Sequence, residues 1–335
     1  MFRPVFLLSI SLLSPAVASA SEEPPTTARA PQLLLISFDG AGDNQLWEKS
    51  RELAARSKAH FTYFLSCTNL IPRKEAKSYQ APGHRPGKSN VGFAPTVEDV
   101  TARLDHIWQA HLEGHEIASH ACGHFDGKDW TKDDWLQEFS TFDTVLRNAW
   151  KANGLGDREP EGWQDFVATG ITGFRAPYLS ATTALAEAGK TAGLSYDASL
   201  VTRGPQWPQR DGELTRFALP LIPEGPQDRR IVGMDYNLFV RHSAGLDNPS
   251  KSVEFEQRAY RAFKAAFDAQ YDGERVPLQL GFHFVEMNGG AYWRALDRLV
   301  SDVCNRADVA CVSYSEAMKI TSSKRKAAEA ANPSN

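Results

Sequence analysis

Two histidines separated by three residues, in His120-Ala121-Cys122-Gly123-His124, are the side chains of this chain best placed to do chemistry. They follow Glu116 to Ser119, a short strand-like stretch, so they would sit on the turn at a strand end. Gly123 between them lets the backbone fold back. Neutral imidazoles brought together this way form half of a site for a divalent ion of the zinc type. The bland reading is two histidines hydrogen-bonded within a loop. A second strand-end turn, Asp39-Gly40-Ala41-Gly42-Asp43-Asn44, carries two carboxylates directly after the apolar run Leu33 to Phe38. A helix cap plus a turn aspartate would explain them without function. Asp39 directly after a buried strand is hard to explain as a solvated group, so it is read as functional.

Arg175 lies at the end of the stretch Ile171 to Phe174, and Pro177 denies it a helix. Asp197 and His283 lie on two further predicted strands. Alternation puts His283 on the face of Gln279 and Gly281, although a histidine in an apolar strand is usually a satisfied core residue.

The elements that must position these groups alternate. Strands are expected at Leu33–Phe38, His60–Ser66, Glu116–Ser119, Ile171–Phe174, Leu194–Ala198, Ile231–Phe239, Leu278–Phe284 and Val309–Tyr314. Helices are expected at Leu46–Ser57, from Thr96 with Asp99 as capping partner, from Thr131 with Asp134, at Ser180–Lys190 and at Trp293–Cys304. Trp135, Phe139, Phe142, Leu146 and Trp150 make a buried stripe and not a sugar platform. Strand and helix in turn imply a mostly parallel sheet around one core, and strand-end chemistry fits a barrel. Cys67 to Pro95 has little periodicity and carries Tyr79, His84, Arg85 and Phe93, so it is read as a substrate-facing loop. Trp207 and the turn Met287 to Trp293 carry further aromatics that could shape a binding groove, or serve packing.

The chain has 335 residues, 42% hydrophobic and 23% charged, with a formal net charge of -4. That balance, with no long basic block before the tail, argues against nucleic acid as a partner. Residues 1–20 read as a secretory signal peptide, with Arg3, a short apolar core and Ala18-Ser19-Ala20 as the cleavage pattern. Residues 21–32 read as a flexible leader, 33–320 as one domain and 321–335 as a disordered tail. No later apolar run reaches membrane length. Secretion permits disulfides, and the four cysteines are read as Cys67–Cys122 and Cys304–Cys311, with four buried thiols as the alternative.

In order and surroundings, the candidate residues resemble the polysaccharide deacetylase family, the NodB homology domain of carbohydrate esterase family four. The resemblance spans Leu33 to Met318. It rests on Ser37-Phe38-Asp39-Gly40, His120-Ala121-Cys122-Gly123-His124, Arg175-Ala176-Pro177-Tyr178, Asp197 within Ser195 to Ser199, and Leu280-Gly281-Phe282-His283. It implies an α/β fold, a distorted (β/α)7-type barrel in a single domain. It also implies a divalent metal, zinc foremost, and removal of acetyl groups from a glycan such as peptidoglycan or an exported polysaccharide. The protein would be a periplasmic or secreted monomer. Two departures stand out. The second aspartate of the first motif, a metal ligand, is Gly40 here, and Ala121 replaces a hydroxyl.

On this resemblance His120, His124 and Asp43 would hold the metal, unless Asp39 takes Asp43's place. Asp39 would act as general base beside Arg175, and His283 as general acid steadied by Asp197. The backbone N–H of Tyr178 would meet the oxyanion. Two other readings are a metal-free carbohydrate-binding relative and a hydrolase of another non-peptide C–N bond.

Overall fold

The computed structural model describes residues 1, 2 and 29–331. Apart from Met1 and Phe2, the expected signal peptide lies outside them, as do residues 21–28 of the leader and 332–335 of the tail. Beyond Thr321 the described tail is the second half of a helix, Tyr314–Ala331, and not an irregular segment.

Among the described residues ten strands join in one sheet: β1 Gln32–Gly40, β2 Thr62–Leu65, β3 Glu116–Ser119, β4 Gly173–Phe174, β5 Tyr196–Thr202, β6 Gln209–Asp211, β7 Leu214–Glu224, β8 Arg229–Val232, β9 Leu278–His283 and β10 Val309–Cys311. The parallel path runs β1-β2-β3-β4-β5-β7. On its other edge β1 pairs with β10 along Gln32–Leu34 and with β9 along Leu34–Asp39. The sheet curls back on itself, and a bridge between Met234 and Gly281 links the chain after β8 to β9. This is a curled, half-barrel sheet of parallel strands flanked by helices. β6 and β8 add antiparallel edges to β7 that periodicity did not reveal.

The flanking helices are α1 Asn44–Ser57, α2 Val97–Leu112, α3 Lys132–Ala152, α4 Trp163–Gly170, α5 Thr183–Thr191, α6 Asp235–Ser243, α7 Ser252–Asp272, α8 Ala291–Val303 and α9 Tyr314–Ala331. Thr131 and Asp134 close a full capping box at the start of α3, as their spacing predicts. α4, α6 and α7 were not foreseen. The stretch Ile231–Phe239, expected as one strand, breaks at Gly233-Met234 and continues as α6. Asp235 therefore opens a helix.

Side-chain alternation divides the core. Leu34, Ile36 and Phe38 of β1 pack outward under the helices. Leu33 and Leu35 pack inward with Phe64, Ala118, Tyr196, Phe217 and Tyr314. Ser37 and Asp39 share that inward parity, as do His120 beyond β3 and Arg175 beyond β4. The same count sends Asp197 outward, beside Phe174 across the β4–β5 register. The fold thus decides, by odd and even position, which polar side chains can meet.

Both disulfides form as read, Cys67–Cys122 and Cys304–Cys311. Gly173 shows how tight the inner layer is. A Cβ there would lie 1.9 Å from the ring of Tyr196, itself fully buried and stacked on Tyr314. The ring has nowhere to go, so Gly173→Ala should cost about 1–3 kcal/mol of stability. Urea unfolding of the two proteins measures this, and an unchanged midpoint would contradict the packing argument.

Candidate active site

Arg175 is the centre of the inner cluster. It is fully buried, and every nitrogen of its guanidinium has a partner. Nη1 donates to Asp39 Oδ1 and to Ser37 Oγ, both at 2.8 Å, Nη2 to the Tyr314 hydroxyl at 2.7 Å and Nε to the Ala198 carbonyl at 3.1 Å. The ring of Phe64 lies 4.2 Å from the guanidinium carbon. Burial works against the charge on Asp39, but Arg175, His120 and His283 around it prevail and hold its pKa below the ordinary value.

His120 Nδ1 lies 2.7 Å from the Arg175 carbonyl. A carbonyl only accepts, so Nδ1 carries the proton and Nε2 is left with its lone pair free for the cavity. Burial pushes the pKa of His120 down to about 3, against the pull of Asp39. It is a neutral imidazole. His124 stands with its ring centre 5.0 Å from that of His120, and burial lowers its pKa as well.

His283 is the register partner of Asp39 across β1 and β9. Its Nδ1 lies 2.6 Å from Asp235 Oδ1, and its backbone N–H donates to Asp235 Oδ2 at 2.8 Å. Burial opposes its charge, but Asp235 outweighs burial and its pKa is raised. Asp235, not Asp197, is thus the carboxylate behind His283. Asp197 forms an ion pair with Arg216 at 2.9 Å and accepts from the hydroxyl of Ser199. Ser199 in turn accepts the Ala176 N–H at 2.7 Å. Asp197 supports the Arg175–Tyr178 turn from outside the cavity. The missed signal for Asp235 was Gly233, a break in the predicted strand two residues before an aspartate.

Tyr178 is held at φ +58°, in the left-handed region, with its ring more than half exposed. Such strain in a non-glycine residue persists only where its surroundings enforce it. Asp43 caps α1, its Oδ1 accepting the N–H groups of Gln45 and Leu46 at 2.9 Å each, and it lines a second cavity of about 420 Å³ together with Asp39, His124 and His283. Gly40 has φ +88°, so an aspartate there would be strained.

Asp39, His120, His124 and His283 open into a cavity of about 710 Å³. Tyr178, Leu179, Tyr236 and Met287 help to wall it, with Asn90 and Val91 from the long loop. Tyr79 of that loop is buried instead, and Trp293 packs on Phe38 in the core. Trp207 is exposed on the segment between β5 and β6, away from the cavity lining.

The family's implied metal can be tested against these donors. Two imidazoles on one tetrahedral ion, with bonds of about 2.1 Å, bring their ring centres to about 5 Å. His120 and His124 match that spacing, and the free Nε2 of His120 is the donor such an ion takes. A third protein ligand is missing: among the described residues no group of three or more His, Cys, Asp or Glu stands ready to hold a metal. The residues fit an ion held by two histidines, with Asp39 beside it.

The fold is that of the NodB-like polysaccharide deacetylases. The chain is similar to a candidate polysaccharide deacetylase from Mycobacterium smegmatis, with a TM-score of 0.52 at 15% identity over 90% of this chain and 94% of that one. It is also similar to the Xyl-CE4 domain of a multidomain xylanase from the hindgut metagenome of Trinervitermes trinervoides. There the TM-score is 0.47 at 13% identity, over 87% of this chain and 92% of that one. A peptidoglycan deacetylase from Bacillus subtilis gives 0.47 at 11% identity, over 91% and 98%. No protein-family model matches the chain, and no curated protein matches it.

The His283–Asp235 pair yields a direct prediction. In an NMR titration His283 should hold its proton above the ordinary imidazole pKa of about 6.5. Asp235→Asn removes the charge that raises it, so His283 should then lose its proton at lower pH. Equal titration in both proteins would show that Asp235 does not govern the imidazole.

Proposed function

We propose that this protein is a metal-assisted hydrolase that removes acetyl groups, foremost N-acetyl, from a glycan in the periplasm or outside the cell. One observation carries the reading. A carboxylate kept ionised by a buried arginine shares a cavity with an imidazole backed by its own carboxylate. That is a base and an acid whose environments push their pKa values in opposite directions.

Asp39 takes a proton from water at Oδ2, since Oδ1 is bound by Arg175. Arg175 keeps it ionised below neutral pH and fixes its orientation. Attack on the acyl carbonyl develops an oxyanion, for which the N–H of Tyr178 is the donor. His283, with Nδ1–H on Asp235, delivers a proton from Nε2 to the leaving amine. His120 and His124 would hold a divalent ion, zinc foremost. Such an ion supplies Lewis acidity, polarising a carbonyl and acidifying water. The exposed rings of Tyr178 and Tyr236 at the cavity mouth suit the apolar face of a sugar. Among the described residues no helix is long and apolar enough to cross a membrane.

Gly40 favours a second reading, a carbohydrate-binding relative without metal or turnover. Metal analysis with and without chelator, together with acetate release from N-acetylglucosamine oligomers, separates the two. The hydrolase reading expects acetate and its loss on chelation. His283→Ala should lower turnover by about 10²–10⁴-fold while the protein keeps its metal. His120→Ala should lose both. Wild-type turnover in His283→Ala would remove the acid from the mechanism.

A further inference from the structure

Glu138 of α3 takes no part in the proposed chemistry, yet it is fully buried beneath the histidine turn. Its Oε1 accepts the N–H of Cys122 at 2.9 Å, the N–H of Gly123 at 3.4 Å and the hydroxyl of Tyr79 at 2.8 Å. The Tyr79 hydroxyl also accepts the Gly123 N–H at 2.9 Å. Oε2 is buried with no hydrogen-bond partner, and no ion pair to Glu138 exists among the described residues. A buried carboxyl with neutral partners and one empty oxygen is a poor way to gain stability. It is a good way to hold two backbone N–H groups in fixed directions.

The turn needs holding. Ala121 and His124 both lie in the left-handed region, at φ +58° and +54°. Side-chain directions at such residues depend on the surroundings that enforce them. Other constraints include the Cys67–Cys122 disulfide, the Thr68 hydroxyl on the Cys122 carbonyl and the Asn90 side chain on the His124 carbonyl, both at 3.0 Å, and the N–H groups of Cys67 and Asn90 on the Ala121 and Gly123 carbonyls at 3.1 and 2.8 Å. Those act on sulfur and carbonyl groups. Ser119 Oγ accepts the Ala121 N–H at 3.2 Å, and Glu138 and Tyr79 take the next two amides, those of Cys122 and Gly123 between the histidines. Gly123 itself is explained by the same contact, because a Cβ there would lie 2.6 Å from the Tyr79 hydroxyl.

We propose that Glu138, seconded by Tyr79, is a positioning residue that sets the mutual orientation of His120 and His124 by gripping the Cys122 and Gly123 amides. The inference rests on the reading of the two histidines as a working pair in a hydrolase. It gives the long segment from Cys67 to Pro95 a second task besides lining the cavity.

The test uses the full chain and three variants: Glu138→Ala, Glu138→Gln and Tyr79→Phe. Zinc binding is followed by calorimetry, turnover on N-acetylglucosamine oligomers by acetate release, and amide exchange at Cys122 and Gly123 by NMR. Glu138→Ala should weaken zinc binding and lower kcat by about 10- to 100-fold each, the usual effect of losing a group that orients a ligand. KM should move less than about threefold, and the two amides should exchange faster while those of β3 do not. Glu138→Gln keeps an acceptor oxygen and should recover most of the loss. If Glu138→Ala fails to fold, Tyr79→Phe, which removes only the hydroxyl, should show the same pattern at smaller amplitude. Wild-type zinc affinity and kcat per folded molecule in these variants would overturn the proposal. So would unchanged exchange at the two amides, a readout that needs neither zinc nor substrate. A wild-type protein that binds zinc but releases no acetate would instead refute the hydrolase reading, leaving the zinc and exchange results to judge Glu138.

Discussion

A guanidinium sealed inside a ring of strands with one carboxylate governs this structure. Removing both charges from water is costly, and the arrangement holds only because Arg175 and Asp39 find each other and every guanidinium nitrogen has a hydrogen-bond partner. Ser37, Ala198 and Tyr314 take three more N–H groups, and the ring of Phe64 covers one face. Those partners come from β1, β2, β5 and the start of α9. One side chain therefore ties together the strands whose ends carry the candidate chemistry. It also leaves the Arg175 carbonyl in place to hold His120.

From that arrangement comes a division of labour between imidazoles that share one cavity. His120 leans on a carbonyl and is stripped of charge by burial. His283 leans on a carboxylate and is drawn towards its charged form despite burial. The same residue type is thus held neutral in one place and drawn towards its cation in another. Asp39 lines the same cavity, and its negative charge pulls towards the protonated form of both rings. Hydrolysis of an acyl bond asks for this pairing of a base that stays ionised with an acid that keeps its proton.

The departures from the family pattern are coherent once the backbone is considered. Gly40 turns through a conformation that an aspartate would resist, and Asp43 commits its Oδ1 to the cap of α1. The candidate ion-holding set is left with two histidines, His120 and His124, with one carboxylate, Asp39, beside them. What the turn lacks in ligands it gains in bracing, from a disulfide on one side and a buried acid with a tyrosine hydroxyl on the other.

Much of this was legible in the chain. The alternating elements, the capping box at Thr131, the short-range Cys304–Cys311 pair and the strand-end placement of Asp39, His120, Arg175 and His283 all follow from local pattern. Local pattern works there because caps, turns and strand parity are set by neighbours a few residues away. It failed at Asp235, hidden in a run that looks like one strand, at Asp197, whose parity faces outward, and at Tyr79 and Glu138, 59 positions apart. Whether a carboxylate meets an imidazole depends on strand register and on the side of the sheet each residue faces. Residue types and their order were determined by the sequence alone. Which acid stands behind which histidine was decided by the closure of the sheet, because hydrogen bonds act over about 3 Å and carry no memory of distance along the chain.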